Sequence, residues 1–428
     1  MRTHDSTKKH RMHYIGIFLF LLFTSVVQAQ QLEKTTPEAV GMSSQRLQRL
    51  NTVLENYVEN KQLPGAVVMI SRKGKIVHTA AVGYRDYETK DSIRENTIFR
   101  IASQTKAIVS VGIMTLLEQG KLLLDDPVGN YIPEFNTTTV AVKDGATYKV
   151  VPANRKITIR DLLTHTAGIG YGWGLAHDQW EKAGITGWYF AHRKVPILET
   201  VKAIARLPQE AQPGEKYVYG YNTDILGALI EVIAQQPLDV FLQQRVLDPL
   251  GMKDTYFYLP PKLTDRLATV YSPTENGLSA APVGTGMQAQ GEYVKGPRTS
   301  FSGGAGYLST ALDYSKFLQM MLNKGVYNGQ RLLSRKSVEL MLENHIGTKF
   351  PWGKGQGFGL GFSIHLAPGE SGIMGSVGDF GWGGAYHSVY WADPTEELAV
   401  VYFTQLIPAN DLDDHKKLRN LVYQAIID

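Results

Sequence analysis

Segments with strand character crowd the two ends of this 428-residue chain, and helical periodicity fills the middle. Gly65-Ala66-Val67-Val68-Met69-Ile70-Ser71 and Ile76-Val77-His78-Thr79-Ala80-Ala81-Val82-Gly83 flank the turn Arg72-Lys73-Gly74-Lys75 and read as a hairpin. Comparable apolar segments return at Gly357–Ile364, 381–391 and 398–404, the last two joined by the turn Asp393-Pro394-Thr395-Glu396. A lone strand or hairpin leaves backbone donors and acceptors unpaired, so these distant segments need one another. The economical result is an α+β fold: one antiparallel sheet built by both chain ends and covered by the terminal helices. Ser43 or Ser44 caps the first helix, which runs to about Tyr57 with Leu47, Leu50, Val53 and Leu54 inward; the last spans about 411–427. Residues 30–105 and 300–428 then form a discontinuous sheet domain and 106–299 a mainly helical insertion. The cleft between the two parts is the expected site.

The first 29 residues stand outside that scheme. Arg2, Lys8, Lys9 and Arg11 precede the mostly apolar run Ile15–Val27, and small residues lead to Ala29. This is the pattern of a secretory signal peptide, with cleavage expected after Ala29 and the mature chain periplasmic or secreted. The run is shorter than the roughly 20 residues a membrane span needs, so no stable span is expected after cleavage. Loss of four basic residues and one acidic residue lowers the formal charge from +4 to +1. The remaining balance gives no reason to expect a nucleic-acid partner. The chain has no cysteine, which excludes disulfides and thiol catalysis.

Chemistry enters at Phe99-Arg100-Ile101-Ala102-Ser103-Gln104-Thr105-Lys106, which runs from a turn into the helical pattern Ile108, Val111, Met114, Leu117 and stops at Gly120. Residues three apart share a helix face, so the amine of Lys106 can reach the hydroxyl of Ser103. Free N–H groups and the positive dipole end at a helix start favour negative charge on a serine oxygen. Serine needs a neighbouring base to become a nucleophile, and Lys106 is a candidate. Spacing alone is weak, because Ser6 and Lys9 share it. An N-cap serine followed by a solvated lysine gives the same pattern.

Elsewhere the local signals are structural. Asp125 and Asp126 before Pro127 read as turn and cap residues rather than an acid/base pair. Residues 136–156 are strand-like with a turn at Asp144-Gly145, and Thr158 with Asp161 forms a capping box for a helix reaching Thr164-His165-Thr166-Ala167-Gly168. His165 there reads as structural. The stretch 169–195, rich in Tyr, Trp and Gly, reads as a loop lining a pocket or covering an apolar surface. Pro213-Gly214-Glu215-Lys216-Tyr217-Val218-Tyr219-Gly220-Tyr221 is a turn entering a helix that runs through Ile233. Further helices are expected near 237–247 and 310–324, around an irregular segment 258–302.

Taken together, five segments resemble the serine β-lactamase and penicillin-recognising superfamily, class C-type branch, closest to the family VIII carboxylesterases. They are Phe99–Lys106; Ile157–Gly168; Tyr219-Gly220 with Asp224-Ile225-Leu226-Gly227; Ser302-Gly303-Gly304-Ala305-Gly306; and Gly378-Asp379-Phe380-Gly381-Trp382-Gly383-Gly384. The resemblance covers about 38–425 as a single unit. It implies that Ser103 is the acylated nucleophile, that Lys106 holds or shuttles its proton, and that Tyr219 is the catalytic tyrosine. Either Lys106 or Tyr219 can serve as the base. It also implies an oxyanion hole from the backbone N–H groups of Ser103 and Ala385, with Trp382, Gly383 and Gly384 on an edge strand beside the serine. Tyr217 is read as packing, Tyr221 as packing or as a cleft wall, and His387 as a donor to substrate or as structural.

Two departures from the superfamily pattern bear on substrate. Trp382 and Gly383 stand where penicillin-recognising enzymes usually carry a lysine and a hydroxyl residue, and Tyr221 stands where an asparagine follows the second-motif tyrosine by two. Both remove polar handles for a lactam or peptide. The expectation is therefore an exported serine hydrolase cleaving small carboxylic esters, short-chain or aryl. The alternatives are a β-lactamase or D-alanyl-D-alanine peptidase, an acyltransferase, or a catalytically silent cell-wall binding protein. No Gly-x-Ser-x-Gly elbow, His-Glu-x-x-His or Gly-x-Gly-x-x-Gly is present, so no metal or cofactor is expected.

Overall fold

A computed structural model describes residues 32–409 and 412–428 besides Met1, so the export signal lies outside the described residues. Nine strands form the central sheet: β1 (Glu33–Lys34), β2 (Gly65–Arg72), β3 (Lys75–Asp86), β4 (Asp91–Ser92), β5 (Gln356–Phe358), β6 (Ser363–His365), β7 (Phe380–Gly384), β8 (Ser388–Asp393) and β9 (Leu398–Thr404). Their order is β1-β3-β2-β9-β8-β7-β6-β5, with β4 paired to β3. Both chain ends thus build one α+β sheet, and it closes where β2 meets β9, Val67 opposite Phe403. The pairing is antiparallel except for β1 on β3, which is parallel.

β2 and β9 are buried on both faces, so they read as continuous apolar runs rather than alternating ones. Their period of two still sorts the faces. Ala66, Val68, Ile70, Val400 and Tyr402 share a core with α1 (Ser44–Glu59) and the C-terminal helix α6 (Asp414–Tyr423). Val67, Met69, Val401 and Phe403 face the other way, into the main core with α5 (Ala311–Leu322) and the helices of the middle region. There α2 (Thr105–Glu118) lies against α4 (Asn222–Ala234). α2 is apolar on nearly every side because all but its last two residues are buried. Among the described residues no single helix is long and apolar enough to cross a membrane.

Four expectations need correction. The segment Gly357–Ile364 is not one strand but the ends of two, β5 and β6, folded back on each other through Gly359–Phe362. The 258–302 segment holds a short hairpin, Tyr271–Thr274 with Gly277–Ala280. The 381–391 segment is two strands, β7 and β8, folded back through the turn Ala385–His387, whose tightness three consecutive non-glycine residues conceal in the sequence. Finally, β7 is not an edge strand: β6 pairs with it at Phe380 and Gly381. That pairing stops at Gly381, so Trp382–Gly384 lack a partner on one side and behave locally as an edge.

Candidate active site

Ser103 lies in a single helical turn, Ala102–Gln104, that leads into α2. Ala102 is fully buried with φ +41°, a strained backbone for a residue with a side chain, immediately before the serine. Lys106, one turn on, is 2% exposed. Its Nζ donates to Ser103 Oγ at 3.3 Å, to Tyr171 Oη at 3.1 Å and to the Gly304 carbonyl at 2.7 Å. Three oxygens from three parts of the chain thus surround the nitrogen. The lysine is therefore held on the serine rather than solvated.

Gly304 is itself fixed by Asp224, whose Oδ1 accepts from Ser302 Oγ at 2.6 Å and from the Gly304 N–H at 3.0 Å. A Cβ on Gly304 would lie 2.3 Å from Asp224 Oδ2, so only glycine permits this approach. Burial raises the Asp224 pKa, against the opposing pull of Ser302 and Lys106. The motif segments around 224 and 304 thus act through Lys106, by placing one carbonyl.

Tyr219 brings its ring, not its hydroxyl, to the lysine. Lys106 Nζ sits 4.6 Å from the ring centroid, a cation–π distance. The Tyr219 hydroxyl accepts from Trp382 Nε1 at 3.0 Å, which ties the second motif to the third. The phenol at Lys106 belongs instead to Tyr171, and sequence reasoning missed it. The aromatic 169–195 loop was its only signal, because no spacing rule links a loop residue to a helix 65 positions away. Burial, then the neighbouring Tyr219 and Asp224, hold the Tyr171 pKa well above the usual phenol range, so it keeps its proton.

His165 is structural, as its sequence suggests. It is buried, its Nδ1 pairs with Asn222 Nδ2 at 2.9 Å, and its ring lies 4.7 Å from that of Tyr219. Burial and the Lys106 charge push its pKa well below 6.5, so it supports Tyr219 as a neutral ring. Tyr221 corrects the expectation of a cleft wall: it is fully buried, stacks on Trp180 at 5.9 Å and donates to the Gly187 carbonyl. Its position at the start of α4 turns it into the core behind Tyr171. Tyr217 packs with Phe350 and Phe358.

The remaining candidates meet at one cleft of about 610 Å³, where Ser103, Trp382, Gly383, Gly384, Ala385 and His387 share the wall with Tyr171 and Tyr219. A Cβ at Gly384 would lie 2.5 Å from the Ile101 carbonyl, so the end of β7 touches the segment carrying the serine. Ala385 follows at once, which puts its backbone beside that of Ser103. Trp173, Trp188 and Trp352 complete an aromatic lining that, among the described residues, contains no carboxylate. His387 Nε2 binds the Asp414 carboxylate at 2.8 and 2.9 Å. His415 adds a third side chain within 4.8 Å, but its ring is stacked on His387 at 4.0 Å and 14°. In-plane lone pairs of nearly parallel rings do not converge, so the trio is poorly disposed to hold a metal.

A second serine also contacts a histidine. Ser371 Oγ is 2.6 Å from His365 Nε2, and His365 Nδ1 is 3.0 Å from Asp379. Ser371 ends a short helix, where the dipole opposes an oxyanion. The nearby N–H groups of Gly372 and Ile373 are spent on Pro368 and on Ser371 Oγ. Arg419 shares Asp379, so this chain of bonds is best read as anchoring α6 to the sheet.

A family model described as Beta-lactamase matches residues 50–424. Protein Rv1367c of Mycobacterium tuberculosis is 34% identical over 369 residues, covering 82% of this chain and 88% of its own. Esterase EstB of Burkholderia gladioli is 30% identical, covering 83% and 89%. A putative D-alanyl-D-alanine carboxypeptidase of Salmonella typhimurium is 28% identical, covering 90% and 88%. Among solved structures, EstCE1, described as a hydrolase with promiscuous acyltransferase activity, superposes with a TM-score of 0.76 at 27% identity, covering 89% and 99%.

Proposed function

Because the chain belongs to the beta-lactamase family, we propose that it is an exported serine hydrolase that cleaves small carboxylic esters through an acyl-enzyme on Ser103. The observation carrying this reading is Lys106 Nζ at 3.3 Å from Ser103 Oγ, at a helix start inside an aromatic cleft. In acylation Lys106, or Tyr219 acting beside it, takes the hydroxyl proton as Oγ attacks the ester carbonyl. The backbone N–H groups of Ser103 and Ala385 receive the developing oxyanion, and the alcohol leaves with the proton. A single such N–H donor is worth roughly 10²–10³ in rate at comparable sites.

Ester preference is supported by Trp382, which presents an aromatic ring, its N–H given to Tyr219, where a lactam or peptide carboxylate would meet a lysine. The relationship to EstB points the same way. The relationship to a putative carboxypeptidase favours the peptidase alternative, and the EstCE1 description favours acyl transfer to an alcohol. Export rests on the basic residues before Ile15–Val27. The test is turnover of p-nitrophenyl butyrate, nitrocefin and a D-Ala-D-Ala peptide by one preparation, with and without added alcohol. Ester turnover that dominates and vanishes in Ser103→Ala is the expected result. Retention by Ser103→Ala, or nitrocefin turnover near the ester rate, overturns the reading.

A further inference from the structure

Acylation leaves a second task, activation of the water or alcohol that releases the acyl group. Lys106 Nζ is engaged by Ser103, Tyr171 and Gly304, all protein oxygens. Another titratable side chain on the cleft wall is unused. His387 lies in the turn Ala385–His387, two residues beyond the oxyanion backbone, with its own N–H bonded to the Gly384 carbonyl at 3.0 Å. Its backbone has φ +63°, a conformation that disfavours a histidine relative to glycine. Such strain persists where the surroundings over-determine it, and here they fix the imidazole.

The surroundings form a dyad. Asp414, at the start of α6 and 1% exposed in its side chain, binds His387 Nε2 at 2.8 Å and accepts from Tyr402 Oη on β9 at 2.7 Å. Nε2–H therefore points at the carboxylate, and Nδ1 makes no hydrogen bond among the described residues. The other groups facing this ring are neutral partners. Burial, helped by Asp414, holds the Tyr402 pKa well above the phenol range, so that hydroxyl stays a donor. Burial pulls His415, which stacks on His387, down to about 4. Although burial acts to raise the Asp414 pKa, its bonds to His387 and Tyr402 lower it, so it remains a carboxylate. A buried carboxylate with neutral neighbours is suited to stabilise an imidazolium that forms transiently. His165 offers a contrast: it is equally ringed by aromatics but enclosed, with an amide in place of a carboxylate.

We propose that His387, oriented by Asp414, is the base that activates the acceptor in breakdown of the acyl-enzyme. The proposal rests on Ser103 being acylated. His387 Nδ1 takes the proton of water or an alcohol as its oxygen bonds to the acyl carbon. The tetrahedral oxyanion then collapses, the bond from carbon to Ser103 Oγ breaks, and the imidazolium proton passes by way of the Lys106 amine to that oxygen, so His387 and Lys106 both end as they began. The products are the acid, or a new ester, and free serine.

Rapid mixing of full-length mature protein with p-nitrophenyl butyrate tests this. In His387→Asn and Asp414→Asn, one equivalent of nitrophenolate should be released at the wild-type rate, followed by a steady state slower by roughly 10²-fold or more. The mass of the butyryl adduct on Ser103 should accumulate. Hydroxylamine, which needs no base to attack an ester, should restore turnover in the variants. That response would not follow from a merely structural role. Variants that retain wild-type turnover, or lose the burst and steady state together with no adduct and no hydroxylamine response, overturn the proposal. Fluorophosphonate labelling of wild-type Ser103 is the separate control. If it fails, the acyl-enzyme reading itself falls.

Discussion

The lysine at the nucleophile is held by oxygens from three different parts of the chain, so its removal should disable Ser103 rather than merely weaken substrate binding. Lys106→Ala is expected to lower kcat/KM for p-nitrophenyl butyrate about 10³-fold and to slow fluorophosphonate labelling in parallel, within the range seen for removal of a proton-transfer group. Tyr171→Phe, which removes one of three acceptors, should cost nearer 10-fold in the same assay. Histidine titration gives a pH signature at this scale. Burial keeps His415 neutral down to about 4 and His165 still more firmly, whereas in the unfolded chain each takes a proton near 6.5. Their contribution to stability is therefore complete above about pH 6.5 and is lost as pH falls toward 4. Thermal midpoints at pH 7 and pH 5 should show that drop, and His415→Gln should narrow it. Ser103 and Lys106 were legible because a helix converts spacing into contact. Tyr171 was not, and Tyr221, which looked like its neighbours on paper, points into the core.

Among the elements, short helices carry more of the site than their length suggests. α3 (Ile159–Leu163) is one turn and a half, too short to be stable alone, and leads directly into His165. It starts on a full capping box: Thr158 and Asp161 exchange side-chain and backbone bonds, and Arg155 pairs with the same carboxylate at 2.6 Å. Asp161→Ala should destabilise the protein by about 1–3 kcal/mol in urea unfolding, because it removes a cap and strands the partners of a buried carboxylate. Ester turnover at 25 °C should change far less. Caps at Ser43, Thr158 and Thr310 were all readable, since each places its acceptor within three residues of its donor. The status of β7 was not readable, because an edge is a property of the neighbouring strand. Nothing within Phe380–Gly384 announces that β6 stops at Gly381.

At the scale of the whole molecule, the decisive joint is β2 against β9, with both strands buried on both faces. Phe403→Ala, beneath α5, should cost about 3–5 kcal/mol and lower the thermal midpoint accordingly. Protein recovered from outside the cytoplasm should begin at Gln30, as N-terminal sequencing would show. The order of assembly follows from where that joint lies. β2, near residue 67, has its hairpin partner β3 at once but keeps its other edge open until residue 403 has been synthesised. Such long-range closure is slow, and a nascent chain cannot pair that edge early. One edge of β2 therefore stays open across more than three hundred residues of synthesis, a state that an unfolded chain can hold and a finished sheet cannot. A chain stopped at residue 397, which lacks β9, should show no cooperative thermal unfolding transition.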